Sequence, residues 1–149
     1  MSRKFLNFVI PRSLALSRAL FAAATALALV CLPAHGAGGG EQTYKAVCME
    51  CHASGKDKAP KFGDRAGWAP LIKEGQARIT ADGWVGVRGM PAKGGKADLT
   101  LEDFAQAVAF MARAGGAKWA DPDAAMLERV RAQEKKVRAR QAANKAAGK

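Results

Sequence analysis

Cys48-Met49-Glu50-Cys51-His52 is the stretch on which the reading of this chain turns. Its pattern is C-x-x-C-H, the spacing used for covalent attachment of a c-type haem. On a helical turn, two cysteines three residues apart share a face, from which both sulfurs can add to the two vinyl groups of the porphyrin. The adjoining His52 can then turn an imidazole nitrogen to the iron as proximal ligand. Three other chemistries use such a pair: a redox dithiol, half of a zinc site and a disulfide. A structural zinc site takes four protein ligands, and beyond residue 36 the chain has only three Cys or His side chains, all in the motif. A thioredoxin-like dithiol follows a strand of a βαβ unit, and residues 41–47 do not read as a strand. The disulfide stays as the structural alternative.

The shortage of other ligands depends on what precedes the motif. Residues 1–18 are basic, with Arg3, Lys4, Arg12 and Arg18, and residues 19–32 form 14 residues without a charge, followed by Pro33 and Ala34-His35-Gly36-Ala37. That is the order of a secretory signal: basic segment, apolar segment, small-residue cleavage region. A spanning helix needs about 20 apolar residues, so the run is short for a permanent anchor, which is the alternative reading. The expectation is a signal peptide over residues 1–36, cut after Gly36 or one of its neighbours Ala34 and Ala37, and a mature protein in the periplasm. Cys31 follows Val30, with Ala28 three positions before it. Neither residue suits a lipoprotein signal, so Cys31 belongs to the discarded segment. Export agrees with the haem reading, because bacteria attach haem covalently outside the cytoplasm.

The chain has 149 residues, which is room for one domain of about 100 residues plus extensions, and a formal charge of +11. That charge is unevenly placed. Residues 1–36 carry +4, residues 37–123 hold 12 basic against 11 acidic side chains, and residues 124–149 hold 8 against 2. The expected division is a haem domain over residues 37–118, nearly neutral, and a basic extension over residues 119–149. A basic total suggests nucleic acid, but an exported protein does not meet it, and none is expected as a partner.

A sixth ligand for the iron has to come from outside the motif. Met49 lies inside the attachment loop, Met111 shares a helical stripe with Phe104 and Val108, and Met126 falls in the basic tail. Met90 sits in Val87-Arg88-Gly89-Met90-Pro91-Ala92-Lys93-Gly94-Gly95, a Gly/Pro loop that is neither regular helix nor strand. Met90 is therefore the candidate, with a loop residue packed on an apolar patch as the alternative. His/Met ligation raises the potential.

The surrounding signals are helical. Glu41 to His52 reads as a first helix, with Tyr44, Val47 and Cys51 on one face. Asp64 caps a second helix to about Gly75, with Trp68, Leu71 and Ile72 apolar. A short helix falls within Ile79 to Val87, weakened by Gly83 and Gly86. Thr100 opens a fourth, with Leu101, Phe104, Val108 and Met111 buried and Gly115-Gly116 as the stop. No stretch alternates as a strand should. The expected fold is all-α: four short helices and long loops around one covalent haem, whose apolar surface replaces core that so few side chains cannot supply.

Residues about 40–114 resemble a class I cytochrome c, and within that class are similar to the cytochrome c5 group of small bacterial electron carriers. The residues behind the resemblance are Tyr44-Lys45-Ala46-Val47-Cys48 leading into Cys51-His52, Ala59-Pro60-Lys61-Phe62-Gly63-Asp64, Gly67-Trp68-Ala69-Pro70, the Met90 loop, and Phe110-Met111. The resemblance implies that Pro60 lies on the proximal side, where a nearby backbone carbonyl holds the other nitrogen of His52. It also implies that Trp68 packs at the haem edge with its indole N–H toward a propionate. A turn proline and a core tryptophan are the plainer readings of these two. Members of that group end near the closing helix, whereas this chain runs on for more than 30 residues.

That extension starts at Asp121-Pro122-Asp123, a helix-opening signature. Leu127, Val130 and Val137 share a face, but Glu134, Gln141 and Asn144 interrupt any heptad. It reads as a solvated, fraying helix, or as an arm for an acidic partner or an anionic membrane surface. The expected protein is a monomeric, exported monohaem carrier that passes single electrons between a redox donor and acceptor, with Cys48, Cys51, His52, Met90, Pro60 and Trp68 around the haem and His52 and Met90 on the iron. The alternatives are a haem subunit of a larger oxidoreductase complex, and a haem enzyme or sensor with a labile sixth ligand.

Overall fold

The computed structural model describes residues 39–148. The proposed signal peptide lies outside them. Helix α1 (Gly39–Thr43) passes through a π-helical turn (Tyr44–Cys48) into α2 (Met49–His52), which carries the motif. The buried face of this stretch is Tyr44, Cys48 and His52 rather than Tyr44, Val47 and Cys51. The π turn is the cause: i→i+5 bonding takes in one more residue per turn, so the same face returns after four residues at each step here. Met49 is left as the exposed large apolar side chain among the described residues, away from the core.

Helix α3 (Arg65–Glu74) begins where the Asp64 carboxylate accepts from the Ala66 backbone N–H at 3.0 Å. Helix α4 (Gln76–Val85) starts three residues before the stretch that the sequence suggested. Gly83 does not break it, since the helix has packing reasons to keep a residue without a Cβ there. Helix α5 (Leu101–Ala114) is capped by Thr100, whose hydroxyl accepts from Asp103 N at 3.1 Å, and it buries the expected Leu101, Phe104, Val108 and Met111. Among the described residues there is no strand, only an isolated antiparallel bridge between Val87 and Met90.

Two apolar clusters hold these elements. One gathers Tyr44, Cys48, Trp68, Ala107, Met111, Ala112 and Ala117, with Phe62 and Phe110 packed on it. Tyr44 stacks on Phe62 at 4.6 Å between ring centroids, and Phe110 tilts against both. The stretch of α1 crosses α5 at Gly40, where a Cβ would stand 2.5 Å from the Gln106 carbonyl oxygen and 3.2 Å from Phe110 Cβ. Gly40→Val is therefore expected to separate the two helices. Overpacking of this kind costs about 1–3 kcal/mol, which exceeds the fraction of a kcal/mol gained in helix propensity. A lower thermal midpoint than wild type is the readout.

The second cluster overturns one expectation. Residues 124–146 do form a helix, α6 (Ala124–Ala146), capped by the Asp123 carboxylate on Met126 N at 2.6 Å. It is not a solvated arm. Val130 and Val137 are fully buried against Ala81 and Leu101, with Ala77, Trp84, Val85 and Leu127 around them. The supposed interruptions keep the stripe going: Leu127, Val130, Glu134, Val137 and Gln141 recur at alternating steps of three and four, which is a packing seam. Glu134 is satisfied by an ion pair with Arg138 at 2.8 Å, and Gln141 by a backbone carbonyl. The connecting segment is held too, because Gln76 Nε2 donates to Ala120 O at 3.1 Å and Arg113 pairs with Asp121 at 2.8 Å.

Candidate functional site

The helices and two long loops enclose a cavity of about 520 Å³, within the roughly 300–1,000 Å³ typical of ligand and cofactor sites. The motif supplies Cys48, Cys51 and His52, the next loop Pro60, α3 Trp68 and Leu71, α4 Ile79, Asp82 and Gly83, the Gly/Pro loop Met90, and α5 Phe104, Val108 and Met111. All six residues singled out from the sequence thus line one cavity, and the wall between them is mainly apolar.

His52 is buried, and its Nδ1 lies 2.9 Å from the Pro60 carbonyl oxygen. A carbonyl only accepts, so Nδ1 carries the proton and donates it. Nε2 is then the nitrogen with a free lone pair, and it has no protein partner among the described residues. Fixing one ring nitrogen on a backbone carbonyl sets the tautomer and the ring orientation. The carbonyl that the resemblance called for belongs to Pro60 itself. The loop is tied again by Phe62 N donating to His52 O at 2.6 Å.

Cys48 and Cys51 are not joined by a disulfide. Burial, helped by the neighbouring charge of Cys51, pushes the Cys48 thiol up to about 11. Redox-active C-x-x-C pairs are characterised by the opposite shift. A thiol shifted in this direction is a poor disulfide-exchange nucleophile, and Cys48 lies on the cavity wall.

Trp68 lines the cavity and is almost wholly buried, but its indole N–H does not face outward to a propionate. It donates to the Lys61 carbonyl at 3.0 Å. The ring instead closes on the end of α5, where a Cβ at Gly115 would overlap its Cγ. The nearer peptide carbonyl thus claims the N–H, and Trp68 links the proximal loop to the closing helix.

Met90 is half-buried on the loop between α4 and α5, and Met90 N donates to Val87 O at 2.8 Å to close the turn. Its methyl would stand 3.5 Å from a Cβ at Gly83, and Phe104 Cζ 3.0 Å from the same atom. Gly83 therefore leaves a recess beside the Met90 side chain that any larger residue would fill. The four described non-glycine residues with positive φ all fall in the two loops beside the cavity: Asp57 and Lys58 before Pro60, Arg88 and Lys93 around Met90. Such strain persists where surrounding structure over-determines the backbone, and ligand clamps are a common place for it.

Reading from sequence missed the α4 wall. Ile79, Asp82 and Gly83 face the cavity at i, i+3 and i+4, a helical spacing visible in the sequence but masked by treating Gly83 only as a breaker. Asp82 is kept in place by Arg78 at 2.9 Å. Met111, read as a core residue, is both core and cavity wall.

The donor set, a pair of cysteines and a histidine with one free nitrogen on an apolar cavity, fits a covalently bound porphyrin. Comparison with known proteins agrees. Residues 36–111 match the family model described as cytochrome c oxidase, cbb3-type, subunit III. Cytochrome c-555 of Chlorobaculum tepidum is 45% identical over 82 residues, which cover 52% of this chain and 76% of that protein. Cytochrome c-555 of Chlorobaculum thiosulfatiphilum is 44% identical over 81 residues, covering 52% and 94%. Cytochrome c5 of Azotobacter vinelandii is 33% identical over 78 residues, covering 51% and 94%. A chain from a crystal structure of an electron transfer complex of nitrite reductase with cytochrome c superposes with a TM-score of 0.50 and 39% identity, over 52% of this chain and 94% of that one. The chain belongs to the cytochrome c family and is a class I c-type cytochrome. It carries covalent haem c, for which Cys48, Cys51 and His52 are the matching attachment motif, and it is an electron carrier rather than an enzyme.

Proposed function

We propose that this protein is an exported monohaem cytochrome c with His52 and Met90 as the two axial ligands, moving single electrons between redox proteins in the periplasm. The observation that carries the ligation is the pairing of His52 Nδ1 with the Pro60 carbonyl, which leaves Nε2 for the iron, together with Met90 on the same cavity from a separate loop. When bound, the haem supplies one-electron Fe(III)/Fe(II) cycling. The chain's own residues anchor it through Cys48 and Cys51, orient His52, and exclude water with Leu71, Ile79, Phe104 and Val108. Trp68 holds the proximal loop onto α5. The domain division 37–118 and 119–149 stands here as a functional one, between the segment that holds haem and the segment that packs on it.

The test of the ligation is ligand access. Ferrous holoprotein mixed with carbon monoxide is expected to keep its spectrum at first, since both axial positions are filled. Immediate binding would overturn this reading in favour of an open sixth position. Export is checked by the N-terminal sequence of the mature protein, expected to begin near residue 37. Among the described residues no helix is long and apolar enough to cross a membrane.

For partners, the support is the neighbour recorded in complex with nitrite reductase, together with the basic side chains that α6 exposes. Arg129, Lys135, Lys136, Arg140 and Lys145 are exposed there. An acidic redox partner would be steered by them, and the rate of electron transfer would fall as salt rises. The double variant Lys135→Glu, Lys136→Glu is expected to flatten that salt dependence. An unchanged slope would remove α6 from the contact. The family model's description as an oxidase subunit favours a second reading, a haem subunit of a larger complex. Purification from the native source separates the two, because a monomeric carrier elutes alone.

A further inference from the structure

The chain beyond α5 is extra to the haem cavity, yet it is bound to the part of the structure that carries Met90. Gly86 ends α4, and the last carbonyls of a helix have no partner within it. Gln141 Nε2 donates to the Gly86 carbonyl at 2.8 Å, across 55 residues of sequence. Gly86 has a φ of 93° and lies directly against the methionine loop: a Cβ there would stand 2.9 Å from Ala92 N and 3.1 Å from the Met90 carbonyl oxygen. Two residues earlier, the Trp84 ring packs on the Val130 and Val137 cluster and takes the Lys93 ammonium over its face at 4.3 Å. The loop that bears Met90 thus rests on the end of α4 at two points, and that end rests on α6 at two points. Arg88 and Lys93 within the loop are in the left-handed region, a conformation that relaxes unless it is held.

We propose that α6 is a brace for the methionine loop and that Gln141 is a positioning residue for Met90, holding it on the iron and thereby setting how readily the sixth position opens. This rests on the reading of Met90 as axial ligand. A displaced loop would let Met90 swing away from the cavity. A loop held at Gly86 keeps the sulfur near its bonding position, so that an outside ligand has to compete with it.

The full-length ferric holoprotein is titrated with imidazole, which competes for the Met90 position, and its helical signal is followed in parallel on heating. Gln141 is exposed, so its variants are expected to fold. Gln141→Ala should bind imidazole roughly five-fold more tightly, the effect of losing one hydrogen bond, with a thermal midpoint lowered by no more than the roughly 4–8 °C that one such bond is worth. Gln141→Glu is nearly isosteric but has no N–H to give, and should behave as Gln141→Ala does. Gln141→Lys keeps a donor and should return toward wild type. Val137→Asp, which opens the seam, should raise the affinity by more than ten-fold and lower the midpoint as well. Wild-type imidazole affinity in both Gln141→Ala and Gln141→Glu would overturn the brace. So would failure of Gln141→Lys to restore the affinity. Met90→Ala separates the two readings: if it binds imidazole no more tightly than wild type, Met90 is not the ligand and both fall. If it binds far more tightly while the Gln141 variants do not, only the brace falls.

Discussion

Met90→Ala is expected to lower the midpoint potential by on the order of 0.1–0.3 V, a part of the roughly 0.8 V over which axial ligands move haem potentials. The thioether favours the reduced iron, and alanine leaves water or an outside ligand in its place. The weak red absorption band of a methionine-bound ferric haem should disappear from the spectrum at the same time. Gly83 leaves a recess beside the Met90 methyl that is lined by Phe104. The variant should still fold, since Met90 is only half-buried and lies outside both apolar clusters. A potential and a red band like those of wild type would mean that another group binds the iron.

Trp68→Ala should be the most costly of the point changes for stability. The side chain is almost wholly buried, joins the cluster of Tyr44 and Met111, and rests on Gly115. Deleting a buried tryptophan costs about 3–5 kcal/mol, enough to lower the thermal midpoint of a domain this size by more than 10 °C, at about 4–8 °C per kcal/mol. Trp68→Phe keeps much of the volume but leaves the Lys61 carbonyl without its donor, at about 1–2 kcal/mol. If the two variants melt together, the hydrogen bond and not the packing is what Trp68 contributes. That result would also reopen its assignment to the haem edge.

The two residues differ in how far the sequence revealed them. Met90 was reached by elimination, because three of the other methionines have positions that periodicity or spacing explains. The resemblance puts Trp68 at the haem edge with its indole N–H toward a propionate, whereas in the structure the Lys61 carbonyl accepts that N–H. Which carbonyl lies within 3.0 Å of that nitrogen depends on the path of residues 53–63, a Gly/Pro/Lys loop with no periodicity to read. The α4 wall shows a similar limit. Gly83 lowers helix propensity by about 1 kcal/mol, and sequence has no means of showing that Phe104 and the Met90 methyl occupy the space in front of it.

Local sequence carries the haem attachment motif, C-x-x-C-H with no histidine after it, marks Met90 in its Gly/Pro loop as a candidate ligand, and sets helix caps at Asp64, Thr100 and Asp123 that all hold. These are local facts, decided within a few residues by spacing and hydrogen-bond capacity. Only the tertiary structure decided that Tyr44, Cys48 and His52 share the buried face, that Pro60 supplies the carbonyl for His52, and that the basic extension folds back onto α4. Charge made residues 124–149 look like a solvated arm, since eight basic side chains dominate the composition there. Burial is settled by the partner's surface as well as the segment's own: Ala77, Ala81, Trp84 and Val85 present an apolar stripe on α4. Two valines and a leucine at the matching spacing were enough to fill it.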